Sequence, residues 1–213
     1  ARAFGGWAWS EGTFRGGATT TLSRGKWLTT ARAERSLAST NDFVLPLEGG
    51  AGFATLLGAP DDFDYVDRRI AGVSATRAFR SMESAFATVE IDAASDRAES
   101  ARLEHGLVRV GSPFRFNRGS TDGSYGRALF ALELHPDVTG LFLQPGVGAR
   151  LSYEVGRGDL DWDRAELTLA MRQHWRDVVF AMRAEGGLVL GKNPPPQTLF
   201  EMGGESALPG YDY

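Results

Sequence analysis

The sequence predicts an all-β protein built from antiparallel strands, and two observations carry this prediction. Most segments alternate polar and apolar side chains, which is the two-residue period of a strand with one apolar face. The chain also contains 27 glycines, which separate one alternating segment from the next. No apolar run reaches the roughly 18 residues that a membrane-spanning helix requires, so a helical membrane protein is excluded.

The alternation is clearest in SYGRALFALELH, which sends Phe130 and Leu132 to one face and charged residues to the other. The segments DRAELTLAMRQ and DVVFAMRAEG repeat the pattern and read as a hairpin. Together these three strands assign six charged residues to the polar face: Arg127, Glu133, Arg164, Glu166, Arg183 and Glu185. We expect these side chains to line a wet interior, where opposite charges can pair.

The other strands follow the same rule with few exceptions. KWLTTARAERSL and ESAFATVEIDAA alternate along most of their length, and LFLQPGVGARLSYEVG is broken by Pro145 and Gly146 before it continues. The sequence therefore predicts roughly nine strands of about ten residues each.

The predicted connections alternate in length along the chain. Tight turns are expected at SRGK, FRSME, HPDVTG and QHWRD, and long loops at about 39–64 and 105–123. The shorter GRGDLDW falls on the side of the long loops. Short turns at one end and longer loops at the other are typical of transmembrane β-barrels. The same parity places residues 191–213 at the long-loop end, as an outer loop.

The character of the two faces favours a membrane barrel over a soluble one. The apolar face is rich in Ala and Gly, which would fill a core poorly but suits contact with lipid. Aromatic residues cluster at predicted strand ends, as in the interfacial girdles of membrane barrels. They are Trp27, Phe79 and Trp175 near the short turns, and Tyr65, Tyr153 and Trp162 near the long loops. A soluble β-sandwich or lipocalin-like barrel also alternates and remains the alternative.

Composition and motifs exclude several kinds of function. The net charge of -4 is spread over interleaved acidic and basic residues, so we expect no nucleic-acid partner. There is no cysteine, and the three histidines, His105, His135 and His174, are far apart in sequence. The Asp-rich GDLDWD lacks the glycine and glutamate of a calcium loop. We therefore expect no metal, no cofactor and no enzymatic activity.

The final segment carries a family resemblance. FEMGG followed by LPGY resembles the loop signature of the BamA/TamA outer-membrane insertase superfamily, also called the bacterial surface antigen barrel. The matching positions are Phe200, Gly203, Gly204, Leu208, Gly210 and Tyr211. Pro209 stands where the family has an arginine, so the charged anchor of the loop is missing and insertase activity is the property most affected.

The resemblance implies a bacterial outer-membrane location and a loop that folds back into the barrel lumen, where Phe200, Gly203, Gly204, Gly210 and Tyr211 are structural and gating elements. It also implies lipid, client envelope proteins and periplasmic accessory domains of the same chain as partners. Residues 1–213 are then one barrel domain, truncated at both ends, since the family barrel has more strands. A passive porin-like channel and the anchoring barrel of a patatin-like lipase are the alternatives, although no G-x-S-x-G elbow is present.

Overall fold

The computed structural model describes residues 1–8, 12–40, 63–79, 84–99, 117–141 and 145–200, which form one open sheet of nine antiparallel strands with almost no helix. The strands are β1 (Arg2–Ala8), β2 (Thr13–Arg24), β3 (Trp27–Ser39), β4 (Tyr65–Ala78), β5 (Ala85–Ala98), β6 (Gly123–Leu134), β7 (Gly146–Gly158), β8 (Trp162–Trp175) and β9 (Val178–Leu190). A short helix, α1 (Pro136–Leu141), follows β6, and a 3₁₀ turn (Pro196–Thr198) follows β9. The predicted all-β class and the number of strands are confirmed.

Each strand pairs only with its neighbours in sequence, from β1 at one edge to β9 at the other. Two of the predicted tight turns are two-residue hairpins. Arg24 pairs with Trp27 around Gly25, whose φ of 60° is a left-handed value that glycine adopts without strain. Trp175 pairs with Val178, and Arg176 there has a φ of 56°. β9 therefore ends, at Leu190, on the side of the sheet where the long connections lie.

The tight turn predicted at HPDVTG is wrong, because this connection contains α1. Pro136 is the first helical residue, where a fixed φ and a missing N–H cost nothing. Val138 is 1% exposed and lies over Gly148 of β7, where an added Cβ would come within 3.0 Å of the Val138 Cβ. The helix therefore depends on a glycine in the next strand, which local turn signals do not reveal. No helix within the described ranges is long and apolar enough to cross a membrane.

The two faces of the sheet differ sharply in chemistry, and we call them the apolar face and the polar face. The apolar face exposes large hydrophobic side chains on all nine strands. They include Trp7, Phe14, Leu22, Trp27, Leu37, Val73, Val89, Ile91, Phe130, Leu132, Val147, Leu151, Tyr153, Leu167, Leu169, Trp175, Val178, Phe180, Met182, Leu188 and Leu190. The polar face holds the small buried cluster of Ile70, Ala94, Tyr125, Leu160 and Trp162, together with most of the ion pairs.

Candidate functional site: the ion-paired face and the segment after β9

The centre of the polar face is a charge network around Asp92 on β5. The Asp92 side chain is 0% exposed and accepts from the Arg127 Nη2 at 2.6 Å. It also lies 3.4 Å from the Arg32 Nη2. Glu90 pairs with both arginines as well, and its Oε1 is 2.7 Å from the Arg32 Nη2. Two carboxylates and two guanidinium groups thus neutralise one another, as buried charges must.

Gly72 allows this network to bridge strands that are not neighbours. Arg32 on β3, Gly72 on β4 and Asp92 on β5 are partners in one row across the sheet. A Cβ at Gly72 would overlap the Asp92 carboxylate, so only glycine leaves room for the Asp92 side chain to lie across β4. The missing side chain on β4 therefore makes the Arg32–Asp92 contact possible.

The network continues towards the long-connection end through Glu154 on β7. Its Oε2 accepts from the Arg127 Nη1 at 2.8 Å, and its Oε1 accepts from the Trp162 indole N–H at 3.0 Å. Trp162 is 2% exposed and lies over Gly156, where an added Cβ would overlap the ring. The interfacial position expected for Trp162 is wrong, because its indole lies on the polar face.

A second buried group adjoins Trp162. Tyr125 meets the Trp162 ring edge-on, with 4.8 Å between the ring centroids. Its hydroxyl donates to the Asp96 Oδ1 at 3.1 Å, and Arg68 on β4 donates to the same oxygen from its Nε at 2.7 Å. Asp96 is 2% exposed, so its charge is satisfied by Arg68 and Tyr125 rather than by water.

The six charged residues predicted from the sequence all lie on the polar face, but the structure divides them into three groups. Arg127 belongs to the Asp92 network. Arg150 on β7 is 3.1 Å from Glu133 and 3.7 Å from Glu166, and Glu166 is 2.6 Å from Arg164. Arg183 and Glu185 pair with each other along β9.

The segment after β9 folds back onto the polar-face side and is held by the residues that precede β6. Gln197 is 4% exposed, and its amide forms two hydrogen bonds with the backbone of Thr121, at 2.9 Å and 2.8 Å. Arg118 donates to the carbonyls of Leu199 at 3.0 Å and of Thr40 at 2.5 Å. The Arg118 guanidinium therefore links the connection after β3, the connection before β6 and the segment after β9.

Phe200 reaches the wall of the sheet at β8 and β9. The Arg164 Cζ lies 4.4 Å from the centroid of its ring, which is a cation–π distance. A Cβ at Gly187 would overlap the same ring, so Phe200 occupies the space that a side chain would fill. The other positions of the loop motif lie outside the described residues, as does His105; they are Gly203, Gly204, Leu208, Gly210 and Tyr211.

These contacts show that the sheet curls towards its polar face. In a flat sheet, β3 and β9 would be about 29 Å apart, at about 4.8 Å for each strand interval. Arg118 and Phe200 nevertheless connect Thr40, at the end of β3, with Gly187 on β9. The path between these two residues consists of two hydrogen bonds, the Arg118 guanidinium group, and one extended residue, Phe200, with its ring. Such a path is at most roughly 18 Å long, so β3 and β9 lie closer together than they would in a flat sheet.

Sequence reasoning missed the residues that hold this segment in place. Arg118 and Thr121 fall inside the long loop predicted at 105–123, and Gln197 follows a proline run, so no periodicity marked any of them. Gly187 was one glycine among many. The only available signal was that a glycine on a polar face leaves space for a side chain from elsewhere.

Comparisons with protein-family models, curated proteins and solved structures found no match to this chain. Within the described ranges, no group of three histidine, aspartate or glutamate side chains is arranged to hold a metal ion. The polar-face carboxylates of Glu90, Asp92 and Asp96 are each paired with an arginine.

Proposed function

We propose that this chain forms part of a transmembrane β-barrel of the bacterial outer membrane. In this proposal the apolar face contacts lipid, and the polar face lines an interior that contains water. The observation that carries the proposal is the apolar face itself, on which Ile91 is 60% and Met182 is 61% exposed. A soluble protein rarely leaves a contiguous apolar surface of this extent in water.

The polar face supports the same proposal from the other side of the sheet. Membrane barrels alternate apolar side chains towards lipid with polar ones towards the interior. Here charged residues that are two strands apart pair over a glycine, and the sheet curls so that these pairs lie on its inner side. A soluble β-sandwich would place its apolar face inside instead.

Within this class, we propose a BamA/TamA-type barrel that assembles or translocates envelope proteins without covalent chemistry. The support is the resemblance of the FEMGG and LPGY segments, together with the contacts of Phe200 with Arg164 and Gly187. A porin-like channel and the anchoring barrel of a lipase would have the same lipid-facing apolar face, and they differ from this proposal in the function of the barrel interior. In a soluble all-β domain, the apolar face would not contact lipid either.

Site-directed fluorescence tests the membrane proposal in the full-length protein, on a cysteine-free background. Ile91→Cys and Ser74→Cys place one thiol on the apolar face and one on the polar face of adjacent strands. After labelling and reconstitution into vesicles, we expect lipids with a nitroxide on the acyl chain to quench the label at position 91 but not at position 74. A water-soluble quencher should show the reverse order.

Equal exposure of both labels to the water-soluble quencher, without quenching by lipid, would exclude a membrane barrel and favour the soluble domain. The serine at position 74 is a suitable control because replacing it by cysteine changes one atom, and because its strand position is close to that of Ile91.

A single methyl group tests whether the docked segment after β9 matters. Gly187→Ala places a Cβ where the Phe200 ring lies, so the ring has to leave its position over Arg164. We expect faster proteolysis of residues 191–200 and a several-fold loss in the rate at which vesicles containing the full-length protein fold a client outer-membrane protein.

The control for this change is the adjacent glycine. A Cβ at Gly186 meets nothing within 4 Å, and this residue lies on the opposite face of the same strand. If Gly186→Ala and Gly187→Ala behave alike, the docking of Phe200 has no functional role. If neither wild type nor variant promotes client folding but the vesicles conduct ions, the channel alternative is correct.

A further inference from the structure

Three cations surround exposed aromatic rings at the short-turn end of the apolar face. Arg24 on β2 is the direct partner of Trp27 on β3, and Trp27 is the direct partner of Arg77 on β4. Directly opposed residues of an antiparallel sheet project to the same side, so the three side chains form one row. Lys26 lies in the turn beside them, and all four residues are exposed.

Arg77 is held between two rings of this row. Its Cζ lies 5.4 Å from the centroid of the Trp27 ring and 5.6 Å from that of the Phe79 ring. Both distances are within the range of cation–π attraction. The guanidinium is thus positioned by aromatic groups, which leave its N–H donors available for an acceptor.

No carboxylate in the described part of the chain pairs with Arg24, Lys26 or Arg77. The arginines of the polar face behave differently: Arg32 and Arg127 have carboxylate oxygens within 2.7 Å. A cation at the edge of an apolar surface can bind an anionic group from its surroundings, since the described residues of its own chain supply none there.

The position of Arg77 along its strand corresponds to the border of a lipid layer. Arg69 lies on the same face of β4, eight positions towards the long-connection end, with Ala71, Val73 and Ala75 between them on that face. Eight residues of strand span about 26 Å, which at a barrel strand tilt of about 40° corresponds to about 20 Å along the membrane normal. The long arginine side chains at the two ends extend this distance towards the height of about 25 Å typical of the apolar band of a membrane barrel.

We propose that Arg24, Lys26 and Arg77, together with Trp27 and Phe79, bind the headgroup phosphate of an anionic glycerophospholipid in the leaflet that faces the short turns. This inference rests on the proposed contact of the apolar face with lipid. Guanidinium groups match the oxygens of a phosphate with paired hydrogen bonds, and tryptophan occupies the headgroup level of a bilayer. The site therefore combines charge for the phosphate with rings for the glycerol region.

Local lipid preference provides the test. In the full-length protein on a cysteine-free background, Thr29→Cys places a fluorescent label on the apolar face beside Trp27. The vesicles contain equal parts of phosphatidylglycerol and phosphatidylcholine, and the acyl-chain nitroxide is carried by one lipid or the other. We expect the labelled phosphatidylglycerol to quench more strongly, with a local preference of about fivefold, the value for one cation at an anionic surface.

The double variant Arg24→Gln/Arg77→Gln should remove this preference while quenching by both lipids persists. Arg69→Gln is the matched control, because it removes a cation from the same face of the same strand at its other end, and the preference at position 29 should remain. Equal quenching by the two lipids in the parent protein would overturn the phosphate site but leave the lipid contact intact. Absence of quenching by either lipid would overturn the proposed membrane barrel itself.

Discussion

Leu167→Arg is expected to destabilise the membrane-inserted protein by about 2–4 kcal/mol, the cost of a basic side chain facing lipid near the middle of a barrel strand. Leu167 is 43% exposed, in the middle of β8, and its partners Leu151 and Gly186 also lie on the apolar face. The side chain projects away from the polar face, so the arginine would have no carboxylate of the network within reach. Urea-induced unfolding from lipid vesicles measures the change.

Leu167→Ala separates this effect from ordinary packing. Where a leucine contacts lipid, its loss removes a transfer term of about 1–2 kcal/mol and leaves no cavity in a rigid core. We therefore expect the arginine variant to be clearly less stable than the alanine variant. A free energy of unfolding within about 0.5 kcal/mol of wild type for Leu167→Arg would mean that the apolar face is a water-exposed surface.

The second large effect is expected from Asp92→Ala, which leaves Arg32 and Arg127 without their shared buried partner. Removing one member of a buried ion pair typically costs about 3–5 kcal/mol, because the remaining charge is then uncompensated. Glu90 contacts both arginines and absorbs part of this loss. Unfolding in urea again provides the measurement, in the full-length protein reconstituted in lipid.

An exposed ion pair serves as the comparison for Asp92. The Asp161 side chain is 66% exposed and lies 3.3 Å from Arg157, close to the long-connection end. Asp161→Ala should change stability far less, since exposed pairs are screened by water.

Arg32→Ala combined with Asp92→Ala should cost less than the sum of the two single changes, because the residues act as one network. Full additivity would show that the contact contributes nothing.

The strands could be predicted because the alternation of polar and apolar residues is visible within each segment of the sequence. The six predicted polar-face residues, from Arg127 to Glu185, were found by counting every second position along three strands, and assigning a side chain to a face needs no more than that. The residues that pair with them were harder to find. Arg127 pairs with Glu90 and Asp92 on β5 and with Glu154 on β7. The sequence of one strand does not indicate which residues of other strands lie beside it.

The errors arose where glycines create space for distant side chains. Trp162 was expected among the interfacial aromatics because it lies at a strand end, but it turns to the polar face, where Gly156 leaves room for its indole. The turn after β6 was expected to be tight, but Gly148 makes room for Val138 of α1. In both cases the decisive glycine lies in a different segment from the side chain that it accommodates.

The sequence by itself determined the all-β class, the number of strands and the division into two faces, because a two-residue period follows directly from strand geometry. The tertiary structure decided which charges meet, how the segment after β9 is held, and that the sheet curls towards its polar face. These features depend on contacts such as Arg118 with Thr40 and Leu199, which join positions far apart in the chain. Local patterns carry no record of such contacts, since they form only when the strands are brought side by side.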